Sequence, residues 1–135
     1  MKQENRLSPV LLSLRLSVFL VMLMWTVDKF VRPGHAAKVY ENFYFIKGLG
    51  TTVAYGIGAL ELTLLAGFLA GFRKRFTYGA VLLLHAVSTA SSFKQYLAPF
   101  EGPNLLFYAA WPMLAACFAL YRLRDLDTLW AVEKG

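Results

Sequence analysis

Four long apolar stretches joined by short connections dominate the sequence. They cover residues 9–31, 52–72, 76–97 and 104–123. Each has about the 20 residues that an α-helix needs to cross the hydrocarbon core of a membrane. Of the 135 residues, 58% are hydrophobic and 16% are charged, whereas soluble domains carry about 25% charged residues. We therefore expect an all-α protein, a single membrane-embedded bundle of four transmembrane helices that takes up residues 1–135.

Local signals suggest where these helices begin and bend. Ser8 followed by Pro9 is typical of a helix start, because serine caps free amides and proline at the first helical position loses no hydrogen bond. The long apolar run after Pro9 has no small-residue cleavage site behind it, which favours a mature helix over a signal peptide. Pro112 is expected to kink the fourth helix, because proline lacks a backbone donor.

The segment between the first two stretches is too charged to span a membrane and too aromatic for an ordinary loop. Pro33 and Gly34 break the first helix. Over residues 35–47, apolar residues fall on one helical face and tyrosines lie beside them: Val39, Phe43, Ile46, Tyr40 and Tyr44. Tyrosine is common at headgroup depth, so this pattern predicts an amphipathic helix lying in the membrane interface.

The basic residues are unevenly divided between the two sides of a four-span protein. The side that holds both termini carries eight of the fourteen lysines and arginines, and the other side carries five. Cytoplasmic loops carry the excess of positive charge. We therefore expect a protein of the bacterial inner membrane, with both termini cytoplasmic and the interfacial helix outside. Because the basic residues flank apolar stretches, the net charge of +6 indicates topology and no nucleic-acid partner.

Three side chains lie near the middle of the predicted bilayer, namely Arg15, Glu61 and His85. A charge in hydrocarbon costs at least about 2.5–3.5 kcal/mol, so each of these residues should have a partner. We expect Glu61 to pair with His85, with Arg15, or with both. His85 is the favoured partner, because helical arginines lean toward the N-terminus and away from Glu61. The alternatives are that Arg15 extends to the cytoplasmic headgroups, or that Glu61 is protonated or faces a wet cavity.

Hydroxyl residues continue the face of His85 along the third helix. Ser88, Ser92 and Tyr96 follow it at spacings of three and four residues. The simpler interpretation is close helix packing, since small polar side chains let helices approach each other. The alternative is a polar path from the midplane toward Asp28, Lys94 and Glu101 at the outer surface.

The sequence specifies no metal site and no cofactor. Cys117 is the only cysteine, which excludes a thiol-disulfide exchanger and a cysteine-rich metal centre. His35 is predicted at the outer interface and His85 near the midplane, so the two histidines are too far apart to hold one haem iron.

Two segments resemble the DoxX-like family of small four-helix bacterial membrane proteins. The first is Trp25-Thr26-Val27-Asp28-Lys29-Phe30 at the end of helix one. The second runs from Gly58 through Glu61 to Gly67. The resemblance implies that Asp28, Lys29 and Glu61 are positions of the family pattern. One member of the family is a small subunit associated with thiosulfate:quinone oxidoreduction.

The leading functional prediction is a non-catalytic subunit or assembly partner of a larger, quinone-linked redox system in the membrane. A chain this short, with so few motifs, is unlike a self-contained enzyme. The alternatives are a bundle that binds a quinone or a lipid, and a proton or solute path, each using a cluster around Glu61 and His85. Besides the lipid bilayer, the expected partners are another membrane protein or a second copy, packed through Gly67-x-x-x-Gly71 and Ala115-x-x-x-Ala119.

Overall fold

The regular structure of this chain is entirely helical. A computed structural model describes residues 2–44, 47–48 and 50–133, with side chains for all of these except residues 2–4, 36 and 40. The α-helices are α1 (Lys2–Val31), α2 (Pro33–Tyr44), α3 (Thr51–Ala70), α4 (Lys74–Ser91), α5 (Phe93–Leu97) and α6 (Ala110–Arg122). Short 3₁₀ helices cover Asn104–Ala109 and Arg124–Leu126. No strand occurs in these ranges, so the predicted all-α class is confirmed.

Helices α1, α3, α4 and α6, the longest helix within each predicted span, pack as a ring. Helix α1 lies against α3 and α6, and α4 lies against the same two helices. The apolar core fills the centre of this ring and draws on all four helices: Leu11, Val18, Met22, Leu65, Phe68, Tyr78, Val81, Cys117 and Leu120. Helix α2 packs on α1 and α3 beside one end of the ring.

Within the described residues, three segments are long and apolar enough to cross a membrane. They are Asn5–Val31, Thr51–Ala70 and Asn104–Arg122. This finding supports a transmembrane protein. Helix α4 does not reach the same hydropathy, because it begins with Lys74 and Arg75 and carries His85 and several hydroxyl residues.

The predicted start of the first helix at Ser8 and Pro9 is wrong. Helix α1 already includes Lys2, and Pro9 lies within it. The Ser8 hydroxyl donates to the carbonyl of Leu126 at 3.5 Å and does not cap the helix. The turns around Pro9 continue because they pack against the 3₁₀ helix Arg124–Leu126, and this tertiary contact outweighs the backbone hydrogen bond that the proline removes.

The third and fourth predicted spans are both interrupted. The predicted helix over 76–97 is divided at Ser92 into α4 and α5. The fourth stretch starts as the 3₁₀ helix Asn104–Ala109 and becomes α-helical at Ala110. Pro112 therefore lies in the first turn of α6, where backbone amides have no partner within the helix.

Helix α2 corresponds to the predicted interfacial helix and begins at Pro33, two residues earlier than expected. Only Arg32 separates it from α1. Val39 and Phe43 are partly buried, whereas Lys38 is exposed, so the predicted amphipathic face is confirmed for these residues. Phe43 stacks on Phe107 with ring centroids 5.8 Å apart. The predicted contribution of Ile46 and of the Tyr40 side chain lies outside the described residues.

Candidate functional site

Glu61 is held by α1 and not by α4. Its Oε1 lies 3.0 Å from Lys29 Nζ, and its Oε2 accepts a hydrogen bond of 3.1 Å from the Thr26 hydroxyl. The two charged side chains are 12% and 17% exposed, so the pair is mostly shielded from the surroundings. The prediction that Glu61 pairs with His85 or Arg15 is wrong. The reason is helix rotation: the face of α3 that carries Glu61 packs against the last turns of α1.

Arg15 is fully buried and binds the C-terminal segment of the chain. Its Nη1 lies 3.2 Å from Asp127 Oδ2, and its Nη2 donates to the Leu129 carbonyl at 2.5 Å. Tyr78 completes this cluster, accepting from Arg15 at 3.3 Å and donating to Asp127 Oδ2 at 2.5 Å. The guanidinium of Arg15 is therefore bound within the chain and does not meet Glu61, because an acidic residue folds back to it from beyond the last helix.

The segment after α6 covers one end of the ring, a feature that the apolar pattern of the sequence does not predict. Lys74 Nζ donates to the carbonyls of Asp127 at 2.6 Å and Arg124 at 3.0 Å. The amide of Val132 donates to the Ala70 carbonyl at 2.7 Å. One signal could have revealed this segment: three of the eight acidic residues of the chain lie between positions 125 and 133, and a buried arginine needs one of them.

Glu133 anchors the far end of this segment. Its carboxylate accepts a hydrogen bond of 3.1 Å from the backbone amide of Lys74. This bond, with a further backbone bond from Arg73, lowers the pKa of Glu133 from its ordinary value of 4.5. The turn before α4 thereby supplies free amides to an acidic side chain, which is the favoured arrangement at the start of a helix.

His85 links three helices at a buried position. Its Nε2 donates to the Ala110 carbonyl at 2.9 Å, since a carbonyl oxygen can only accept. Trp25 of α1 lies over the imidazole, with ring centroids 6.0 Å apart and an angle of 22° between the planes. The Nδ1 atom is buried without a hydrogen-bond partner among the described residues. His85 thus fixes the start of α6 and one tryptophan of α1 relative to α4.

The hydroxyl residues of α4 and α5 bond to backbone oxygens. Ser92 donates to the Ser88 carbonyl at 3.2 Å, and Tyr96 donates to the Thr89 carbonyl at 2.9 Å. The Tyr108 hydroxyl donates in turn to the Tyr96 carbonyl at 2.8 Å. The Ser92 and Tyr96 side chains also contact each other, but each of these three hydroxyls donates to a backbone oxygen, which favours the packing interpretation over a continuous polar path.

A groove of about 540 Å³ runs along the ring between α1 and α6, with α4 on its inner side. We call it the α1–α6 groove. Its walls include Leu14, Val18 and Trp25 from α1, and Phe107, Ala109 and Met113 from the last span. Ser88 and Ser92 form its inner side. Glu61 and His85 are not among its lining residues, so this groove is not the cavity predicted around those two residues.

Asp28 joins the end of α1 to the start of α2. Its carboxylate accepts from Arg32 Nε at 2.6 Å and lies 2.5 Å from His35 Nδ1. Lys29, the next residue, instead points to Glu61. These two neighbouring residues thus serve different contacts, one across the α1–α2 turn and one between α1 and α3.

The described residues offer no grouping of histidine, cysteine, aspartate or glutamate side chains that could hold a metal ion. Cys117 is buried in the core. Comparisons of this chain with protein-family models, with curated proteins and with solved structures find no match.

Proposed function

We propose that this chain is a four-span protein of the bacterial inner membrane, of the DoxX-like kind, that acts as a non-catalytic subunit or assembly partner of a larger membrane redox system. The proposal rests on the observation that the buried charged side chains are paired with each other within the chain. Arg15 is paired with Asp127, and Glu61 with Lys29, so these side chains are engaged in contacts between segments of the bundle and are not free for acid-base chemistry. Any redox group, a quinone included, would then be handled by the partner.

The distribution of residues on α4 supports a fourth span. Its polar residues point into the ring, where Thr77, His85 and Thr89 are buried. Beyond Arg75 in its first turn, its large exposed residues are apolar: Phe76, Leu83, Leu84 and Val87. A helix with its polar side inward and its apolar side outward is suited to lipid on the outside, although its mean hydropathy is lower than that of its neighbours.

The last span offers the surface that a partner would use. In its most apolar window only 11% of the residues are buried within the chain, against 22% for α3 and 28% for α1. Trp111, Ala115 and Phe118 are exposed and follow one face of α6 at helical spacing. A large apolar face of this kind is covered in the membrane either by lipid or by another protein.

Purification from native membranes in mild detergent tests the proposal. We expect the chain to co-purify with a redox protein and to migrate well above its own mass of 15.2 kDa. Phe118→Ala should weaken this association, whereas Leu83→Ala, at a similarly exposed apolar position on α4, should not. A lone monomer, together with unchanged membrane redox activity after deletion of the gene, would contradict the proposal.

The proposed orientation can be tested with single cysteines. Cys117 is buried, so Cys117→Ala provides a background without reactive thiols. In that background we expect Arg6→Cys to be protected from an impermeant thiol reagent in intact cells and Lys38→Cys to be labelled. The reverse labelling pattern would place the termini outside.

A further inference from the structure

The α1–α6 groove lies on a different part of the bundle from the buried ion pairs and is a concave, largely apolar space. Its volume of about 540 Å³ falls within the range of about 300–1,000 Å³ that is typical of small-molecule sites. We propose that this groove binds a neutral amphiphile, a molecule with a long apolar body and one uncharged hydrogen-bonding group.

The groove exists because small side chains and a change of helix type leave space in the last span. Ala109, Ala110 and Ala116 line it, and the 3₁₀ helix Asn104–Ala109 precedes α6 at this place. On the facing helices the small residues Ser17 and Ser88 also border it. Larger side chains at these positions would fill the space, so the groove results from the small residues along its walls and not only from loose packing.

The chemistry of the lining selects the class of ligand. No charged side chain borders the groove, so a carboxylate or a phosphate would enter without a counter-charge. The rim is exposed at Leu106 and Trp25, and it therefore opens toward the membrane rather than being closed inside the bundle. Three serines border the groove: Ser17, Ser88 and Ser92. Ser88 and Ser92 lie one helical turn apart, and we expect the single alcohol or carbonyl group of the ligand to bind beside them.

His85 lies behind the wall of this groove. It bonds the carbonyl of Ala110 and lies against Trp25, and both of those residues line the groove. His85 itself is only 1% exposed. It thereby holds one wall from α1 and one from α6 at a fixed separation across α4.

The test uses the purified full chain in phosphatidylcholine nanodiscs and a photoactivatable long-chain alcohol with a diazirine in its chain. We expect the label on residues 14–25 and 106–116, displaced by excess hexadecanol but poorly by palmitate or hexadecane. Ala109→Leu should reduce this labelling at least about fivefold by filling the groove. The matched control, Ala115→Leu, changes an exposed alanine that does not line the groove and should label normally.

A second variant tests the polar end of the site. Ser88→Ala should weaken competition by hexadecanol about fivefold, the effect of losing one hydrogen bond, and leave competition by hexadecane unchanged. Equal labelling of Ala109→Leu and Ala115→Leu, or equal competition by hexadecane and hexadecanol, would overturn the proposal. The proposal would also be overturned if labelling were lost only in crosslinked dimers, in which the second copy covers the groove. These results are obtained on the isolated chain, so they do not depend on whether a protein partner exists.

Discussion

The buried ion pair between Arg15 and Asp127 gives the sharpest stability prediction. Their side chains are 1% and 0% exposed and approach to 3.2 Å. Removing one partner leaves the other charge buried without compensation, which costs about 3–5 kcal/mol. We therefore expect Asp127→Leu and Arg15→Met each to lower the free energy of unfolding by that amount.

The combined variants separate charge from hydrogen bonding. Arg15→Met with Asp127→Leu removes both charges but leaves the hydroxyl of Tyr78 buried without its two partners, at a cost of about 1–3 kcal/mol. Adding Tyr78→Phe removes that hydroxyl as well. The triple variant should then lie within about 1 kcal/mol of the native chain, because well-packed apolar groups often replace a buried ion pair without loss.

Equilibrium unfolding in mixed detergent micelles, followed by circular dichroism, measures these differences. The control is Arg32→Met, which breaks the pair with Asp28, where the Arg32 side chain is 63% exposed. It should cost no more than about 0.2–1 kcal/mol. The reasoning fails if the two single core variants cost as little as this control, or if the triple variant is as unstable as the sum of the singles.

Three further predictions concern other contacts. Gly71→Ala should destabilise the protein by about 1–3 kcal/mol, because φ is +66° there and the new Cβ would lie 2.6 Å from the C-terminal segment; a neutral result in the same unfolding assay would contradict this. Glu61→Gln should cost about 1.5–3 kcal/mol through its lost charge-assisted contacts, and this cost should be independent of His85→Ala in a double-mutant cycle. The backbone amide of Lys74 lowers the pKa of Glu133 in the folded chain below its ordinary value of 4.5, so this contact stabilises the fold only while Glu133 is ionised. The native chain should therefore lose the stability from this contact as the pH falls from 4.5 through the lowered folded pKa. Glu133→Gln lacks the ionisable group and should not show this pH-dependent loss. Parallel unfolding midpoints of the two proteins between pH 7 and pH 3 would contradict the last prediction.

Much of the secondary structure could be predicted from the sequence, because the signals for it are local. The second apolar stretch, predicted over 52–72, is α3 at Thr51–Ala70. Helix α2 follows from the spacing of Val39 and Phe43 and from the break at Pro33. The start of α1 was misplaced because Pro9 is tolerated when the turn before it packs against residues from the far end of the chain.

The candidate site was predicted less well, because pairing depends on how each helix is rotated about its axis. The sequence alone determined that Arg15 and Glu61 needed partners, since a charge within an apolar stretch is costly. Their actual partners, Asp127 and Lys29, depend on the fold. An error of one residue in helix rotation turns a side chain by about 100°, so depth along the helix does not identify the neighbour.

Composition and periodicity determined that this chain would be all-helical and suited to a membrane, because both properties are sums over local apolar runs. Only the tertiary structure decided which end of the ring the C-terminal segment covers and where the α1–α6 groove lies. These features arise where segments distant in sequence come into contact. The free energy of such tertiary contacts depends on how well the side chains pack against each other. Arg15 illustrates both levels: its position in the sequence required an acid, and the fold supplied Asp127 from 112 residues away.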